Sequence, residues 1–81
     1  SILNGEFEII EAEIIETSEL INKELKKSDL PEEIRIGAVL RGDEVIIPRS
    51  NFVFKKEDVV VLLAKKESLD VVENMFRISS I

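Results

Sequence analysis

Cysteine and histidine are both missing from these 81 residues. Their absence removes disulfides, thiolate nucleophiles, imidazole acid–base chemistry and every Cys/His zinc site. Tryptophan and tyrosine are missing too, which leaves four phenylalanines as the whole aromatic stock. Basic side chains are in the minority, with 11 Lys and Arg against 17 Asp and Glu, and the net charge is -6. A nucleic-acid binder needs a basic face and stacking aromatics, so this balance argues against nucleic acid as a partner. No apolar run nears the ~20 residues of a membrane-spanning helix, which argues against direct membrane insertion. The longest run, residues 59–64, has the length of a buried strand.

What remains is the composition of one small globular domain: 44% hydrophobic and 35% charged residues, too apolar for a disordered chain. A chain of this size buries only about two-thirds of its unfolded surface, so its core is modest. The only methionine is Met75, which suits a fragment or processed product better than a complete gene product.

Periodicity divides the chain into elements. Asn4-Gly5 is a turn signal. Residues 7–15 are rich in isoleucine and predict a strand, with Ile10, Ala12 and Ile14 on one apolar face. The other face mixes Phe7, Ile9 and Ile15 with Glu11 and Glu13, which suggests partial cover by a second subunit or a helix. Thr17-Ser18-Glu19 reads as a helix start, with Leu20, Ile21 and Leu25 as the buried stripe and an end before Leu30-Pro31. Ile34, Ile36, Ala38 and Leu40 predict one face of a second strand, and Arg35, Gly37, Val39 and Arg41 the other. Gly42-Asp43 turns that strand into a hairpin that Pro48 ends. Residues 49–57 form a polar loop in which some of Phe52, Val53 and Phe54 must tuck inward. Residues 59–63, apolar on both faces, predict a central strand. Ser68 is a candidate cap for a second amphipathic helix marked by Leu69, Val72, Met75 and Phe76. The order β-α-β-β-β-α makes an α+β domain, a mostly antiparallel sheet with two helices packed on it.

The residues offer little catalytic chemistry. Glu11 and Glu13 could hold a cation or do acid–base work with Asp43, as in a small metal-assisted hydrolase, but they equally suit a solvated strand face. Asp43-Glu44 and Glu57-Asp58 fit turns in which Asp bonds the local backbone. Arg35, Arg41 and Arg49 could form an anion-binding patch or pair with the surplus carboxylates. No serine lies in a nucleophile elbow, and Gly5, Gly37 and Gly42 build neither a phosphate loop nor a dinucleotide fingerprint.

The segment Ile36-Gly37-Ala38-Val39-Leu40-Arg41-Gly42-Asp43-Glu44-Val45-Ile46-Ile47-Pro48-Arg49 resembles the signature of the TrkA-C, or RCK-C, domain. The flanks agree: Ile9-Ile10-Glu11 resembles that family's first strand, residues 23–31 its helix, and residues 71–76 its closing helix. The resemblance spans residues 6–77. Two positions depart from it: Asn22 and Glu57 stand where the family usually has glycine.

This resemblance implies a cytoplasmic, non-catalytic regulatory module that pairs with its twin and acts on a membrane-embedded potassium transporter subunit at the inner face of the membrane. It implies that residues 1–5 lead in from an N-terminal Rossmann-type domain, the only part that would take NAD, and that residues 78–81 are a tail. In some members the paired domains bind cyclic di-AMP between the copies. Carried over here, that pocket would involve Ile34, Arg35 and Pro48, with Leu25 or Leu30 from the helix side and Arg49 suited to a phosphate-bearing, small anionic ligand. Phe7, Ile9 and Ile15 are the candidate dimer seam. The alternatives are a pure dimerisation module with no ligand and a sensor domain fused to another ion transporter.

Overall fold

The computed structural model describes residues 5–78, with side chains through Phe76. Residues 1–4 of the expected lead-in and 79–81 of the expected tail lie outside the described residues. Five strands form one antiparallel sheet: β1 (Phe7–Glu13), β2 (Ile34–Arg41), β3 (Glu44–Ile46), β4 (Val59–Lys65) and β5 (Arg77–Ile78), with helix α1 (Leu69–Met75) between the last two. The spatial order is β3-β2-β4-β1-β5. Strand β4 is central, as its two apolar faces require, pairing along its whole length with β1 and from Val59 to Ala64 with β2. Gly42, at φ 59, occupies the first central position of the β2–β3 turn, and Arg41 pairs with Glu44 across it. Glycine reaches that backbone conformation without steric cost.

One face of the sheet carries the core. Ile10 and Ala12 from β1, Ile34 and Val39 from β2, and Val60, Leu62 and Ala64 from β4 are buried beneath Leu20, Phe54, Val72 and Phe76. Each large side chain fully buried there contributes about 1.5–3 kcal/mol of transfer free energy. The apolar face expected of Ile10, Ala12 and Ile14 is present and fully inward. The loop after β3 tucks Phe54 into the core, Phe52 partly, and leaves Val53 at the surface.

The α+β class holds, with one α-helix among the described residues rather than the two expected. Residues 17–29 form turns and a single 3-10 turn, Leu25–Lys27. Their backbone donors go elsewhere: the N–H groups of Asn22, Leu25 and Lys26 donate to the carbonyls of Phe54, Phe52 and Ser50, and Phe54 N–H donates back to Lys23. An isolated bridge between Glu24 and Val53 completes this clasp. Asn22 at φ 66 and Asp29 at φ 52 are left-handed, a conformation no continuous helix of L-residues tolerates. The apolar stripe was nevertheless correct about burial, since Leu20 is in the core and Ile21 and Leu25 pack against it. Ser18 serves both ends of another contact, accepting from Leu20 N–H at 3.2 Å and donating to the Met75 carbonyl at the end of α1 at 3.1 Å.

Three smaller corrections follow. Strand β2 does not alternate cleanly, because a bulge at Gly37 lies between the pairs Ile36↔Leu62 and Ala38↔Val61. Past it the faces exchange: Val39 points into the core and Ala38 and Leu40 point out. Ser68 precedes α1 but makes no capping hydrogen bond from its side chain. Ile78 belongs to β5, paired with Ala12.

Candidate functional site

The turn around Pro31 delivers the chain into β2, with Ile34 N–H donating to the Pro31 carbonyl at 3.0 Å. Just before it, the 3-10 turn closes on Ser28, whose hydroxyl donates to the Leu25 carbonyl at 2.6 Å. Together these bonds set Leu25 and Leu30 opposite Ile34 and Ile36 around a cavity of about 420 Å³. Lys26, Asp29 and Arg35 stand at its wall. The volume falls within the ~300–1,000 Å³ of small-molecule sites, and apolar walls with a few charged groups are their usual make-up. Lys26 is paired with Glu24 at 3.8 Å, so Arg35 and Asp29 remain as opposed charges at the wall.

Four of the residues expected at a ligand site, Leu25, Leu30, Ile34 and Arg35, share this one cavity. Pro48 and Arg49 are not in its wall; they lead from β3 into the loop whose Ser50 carbonyl takes the Lys26 N–H at 2.9 Å. Lys26, Asp29 and Ile36 were missed by sequence reasoning. Ile36 was visible as the strand neighbour of Ile34, whereas Asp29 enters through a left-handed turn that no pattern announced. Arg35 is exposed, and its Nη1 donates to the Ile34 carbonyl at 3.3 Å. It also borders a second hollow, of about 250 Å³, with Phe7, Leu63, Lys65, Glu32 and Glu33.

Arg41 is engaged elsewhere and does not join an anion patch. Its Nε and Nη2 donate to the two carboxylate oxygens of Asp58, each at 2.8 Å, and Nη2 also reaches the Val53 carbonyl at 3.1 Å. The guanidinium lies 5.0 Å from the centre of the Phe52 ring, which meets Phe54 edge-on at 5.3 Å. Asp58, 1% exposed, accepts a further bond from Lys55 N–H at 2.9 Å, the local backbone role expected of it. The Asp58 hydrogen bond, chiefly, holds the Arg41 pKa above its ordinary value against the opposing effect of burial, with the charges of Asp58 and Glu44 adding to the rise.

The acidic residues do not converge. Glu11 and Glu13 are on β1, while Asp43 lies at the β2–β3 turn, with β2 and β4 in between. Phe7 and Ile9 lie on the sheet face away from the core, since they oppose Lys65 and Leu63 across β4. Ile15 lies past the end of β1 and is half-buried.

The fold is that of a small α+β domain with an RCK-type neighbour among solved structures. A solved structure described as an RCK domain with cda aligns with a TM-score of 0.71 at 18% identity, covering 85% of this chain and 97% of that one. The TrkA-C domain family matches residues 9–77. The Trk system potassium uptake protein TrkA of Azorhizobium caulinodans is 43% identical over 79 residues, 98% of this chain and 17% of that protein. A TrkA homolog of Archaeoglobus fulgidus is 34% identical over 64 residues, 79% of this chain and 15% of that protein. The K(+)/H(+) antiporter NhaP2 of Shewanella baltica is 27% identical over 73 residues, 90% of this chain and 13% of that protein. The chain thus spans about a sixth of the length of the potassium uptake proteins it matches. The chain belongs to the TrkA-C family, the regulatory domain those proteins carry.

Proposed function

We propose that this domain is a non-catalytic ligand-sensing and dimerisation module of a potassium uptake system, held at the cytoplasmic face of the membrane through a transporter subunit. The observation that carries the reading is the convergence of Leu25, Leu30, Ile34 and Arg35 on one cavity of small-molecule size. Its ligand is a small anion with apolar rings, of which cyclic di-AMP is the leading case. NAD would belong to a preceding Rossmann-type domain. Gating follows from linkage: a ligand that prefers one relative arrangement of two copies shifts the transporter by that preference, of order 1–3 kcal/mol. Likeness to an antiporter over nearly the whole chain supports a second reading, a sensor carried by another cation transporter. Both readings use the same cavity.

Titration calorimetry with cyclic di-AMP, AMP, ATP and inorganic phosphate tests the proposal. The expected result is binding of the cyclic dinucleotide, weakened about 10-fold or more by Arg35→Ala, the loss of a charge-assisted hydrogen bond. Absence of heat across the panel would reduce the domain to a dimerisation module.

A further inference from the structure

Between β1 and β2 the chain runs through a strap, residues 22–29, whose two ends are both left-handed: Asn22 at φ 66 and Asp29 at φ 52. Regular backbone bonding stops at such residues. Inside the strap there is one 3-10 turn, Leu25–Lys27, and no fully buried apolar side chain; Leu25 is half-buried. Its side-chain bonds close within it. Ser28 Oγ donates to the Leu25 carbonyl, and the ammonium groups of Lys26 and Lys27 lie 3.8 and 3.6 Å from the Glu24 carboxylate. What ties the strap across to the rest of the domain is the backbone ladder to residues 50–54. Asn22, Leu25 and Lys26 donate to Phe54, Phe52 and Ser50, and Phe54 donates to Lys23.

The far side of that ladder is held independently. Phe54 is in the core, Phe52 meets it edge-on beside the Arg41 guanidinium, and Arg41 Nη2 donates to the Val53 carbonyl. Residues 50–54 are therefore anchored where the strap is not. Segments held by backbone bonds with little apolar burial open locally, below the limit set by global unfolding.

We infer that residues 22–29 open and close as one unit about Asn22 and Asp29, and that closure completes the ligand cavity. Leu25, Lys26 and Ser28 of the strap belong to one wall, and Ile34 and Ile36 of β2 to the other. Opening breaks the ladder and leaves the β2 wall in place. A molecule that touches both walls binds the closed form alone, so its occupancy is converted into order in the strap. That conversion rests on the ligand-sensing reading, whereas the opening does not. It takes place within one chain and needs no second copy.

Amide hydrogen exchange on the 81-residue chain, followed residue by residue by NMR, decides it. The N–H groups of Leu25, Lys26 and Phe54 should share one level of protection, at least about 10-fold below that of Val60 and Leu62 in β4, because the ladder breaks as a whole. Phe54 discriminates: its side chain is in the core, but its acceptor, the Lys23 carbonyl, is on the strap. Glu24 and Val53 face each other as an isolated bridge. The flanking bonds make theirs a non-hydrogen-bonded pair, with a Cα separation of about 4.5 Å that suits a disulfide. The chain has no other cysteine, so Glu24→Cys with Val53→Cys should lock the strap on oxidation. Relative to Val60 and Leu62, the three amides should then slow at least about 10-fold and recover on reduction. Saturating cyclic di-AMP should slow the same amides about 10-fold in the parent chain. Strap amides and Phe54 that exchange at the β4 rate overturn the opening, as does a lock that leaves their relative rate unchanged. Heat of binding without slower strap exchange overturns the link between strap and cavity. A strap that opens in a protein giving no heat with cyclic di-AMP overturns ligand sensing and leaves the opening standing.

Discussion

Arg35 and Arg41 stand near opposite ends of β2 and could hardly be more different in circumstance. Arg41 is pinned by a two-pronged bond to a buried carboxylate, an aromatic ring beneath it and a carbonyl beside it. Arg35 is exposed, and its Nη1 reaches only as far as the neighbouring Ile34 carbonyl, at 3.3 Å, among the described residues. The bulge at Gly37 separates these two fates, since it puts the two side chains on opposite faces of the sheet. The same residue type thus does structural work at one end of a strand and is available for binding at the other.

The comparison can be broken first at Arg41. Arg41→Ala should cost about 3 kcal/mol in urea unfolding, because it leaves Asp58 charged, buried and short of its main partner. Arg41→Lys should recover only part of this, as an ammonium cannot span both oxygens. Asp58→Asn should cost less, about 2 kcal/mol, since Arg41 is partly exposed and can turn to water. The raised Arg41 pKa means that the guanidinium's share of this stability is complete below the ordinary arginine range and fades only as pH climbs through the raised value. Unfolding midpoints between neutral and mildly alkaline pH should therefore show no loss assignable to Arg41.

Arg35→Ala is the sharpening control: within about 0.5 kcal/mol of the parent in stability, yet weaker in nucleotide binding by calorimetry. The smallest expected effect has the opposite sign. Glu57 sits at φ 72, a left-handed cost of about 1–2 kcal/mol that glycine avoids. Glycine's greater freedom in the unfolded chain offsets part of the gain, so Glu57→Gly should stabilise by about 0.5–1 kcal/mol in the same urea assay.

Much of the fold was legible because it depends on side-chain period. Alternation located β1 and the β2–β3 hairpin, and two-sided apolarity located β4 at the centre. The missing helix was illegible for a physical reason: the spacing of Leu20, Ile21 and Leu25 reports what is buried, and several backbones satisfy it. Non-local pairing with residues 50–54 selected turns over helix. Asn22 and Glu57, the two departures from the family's glycines, both keep the positive φ that glycine would supply. The turns survived the substitutions because asparagine tolerates that region and because Asp58, locked beside Glu57, holds its turn in place. At the candidate site, the apolar wall could be anticipated from the resemblance. The shift of faces at Gly37, which decides where Arg41 points, could not, since a bulge leaves no periodic trace.

Strand order also governs how the chain can assemble during synthesis. Within the domain, strand β1 is made before the other strands, yet its sheet neighbours among the described residues are β4 and β5, the last two strands in chain order. The β2–β3 hairpin can close on its own, whereas the isoleucine-rich first strand must wait, solvated, until β4 arrives to lie between it and β2. Such a segment invites pairing with other nascent chains. Glu11 and Glu13, set within it, are charges of the kind that delay that event, so the acidic pair protects the protein before its sheet is complete.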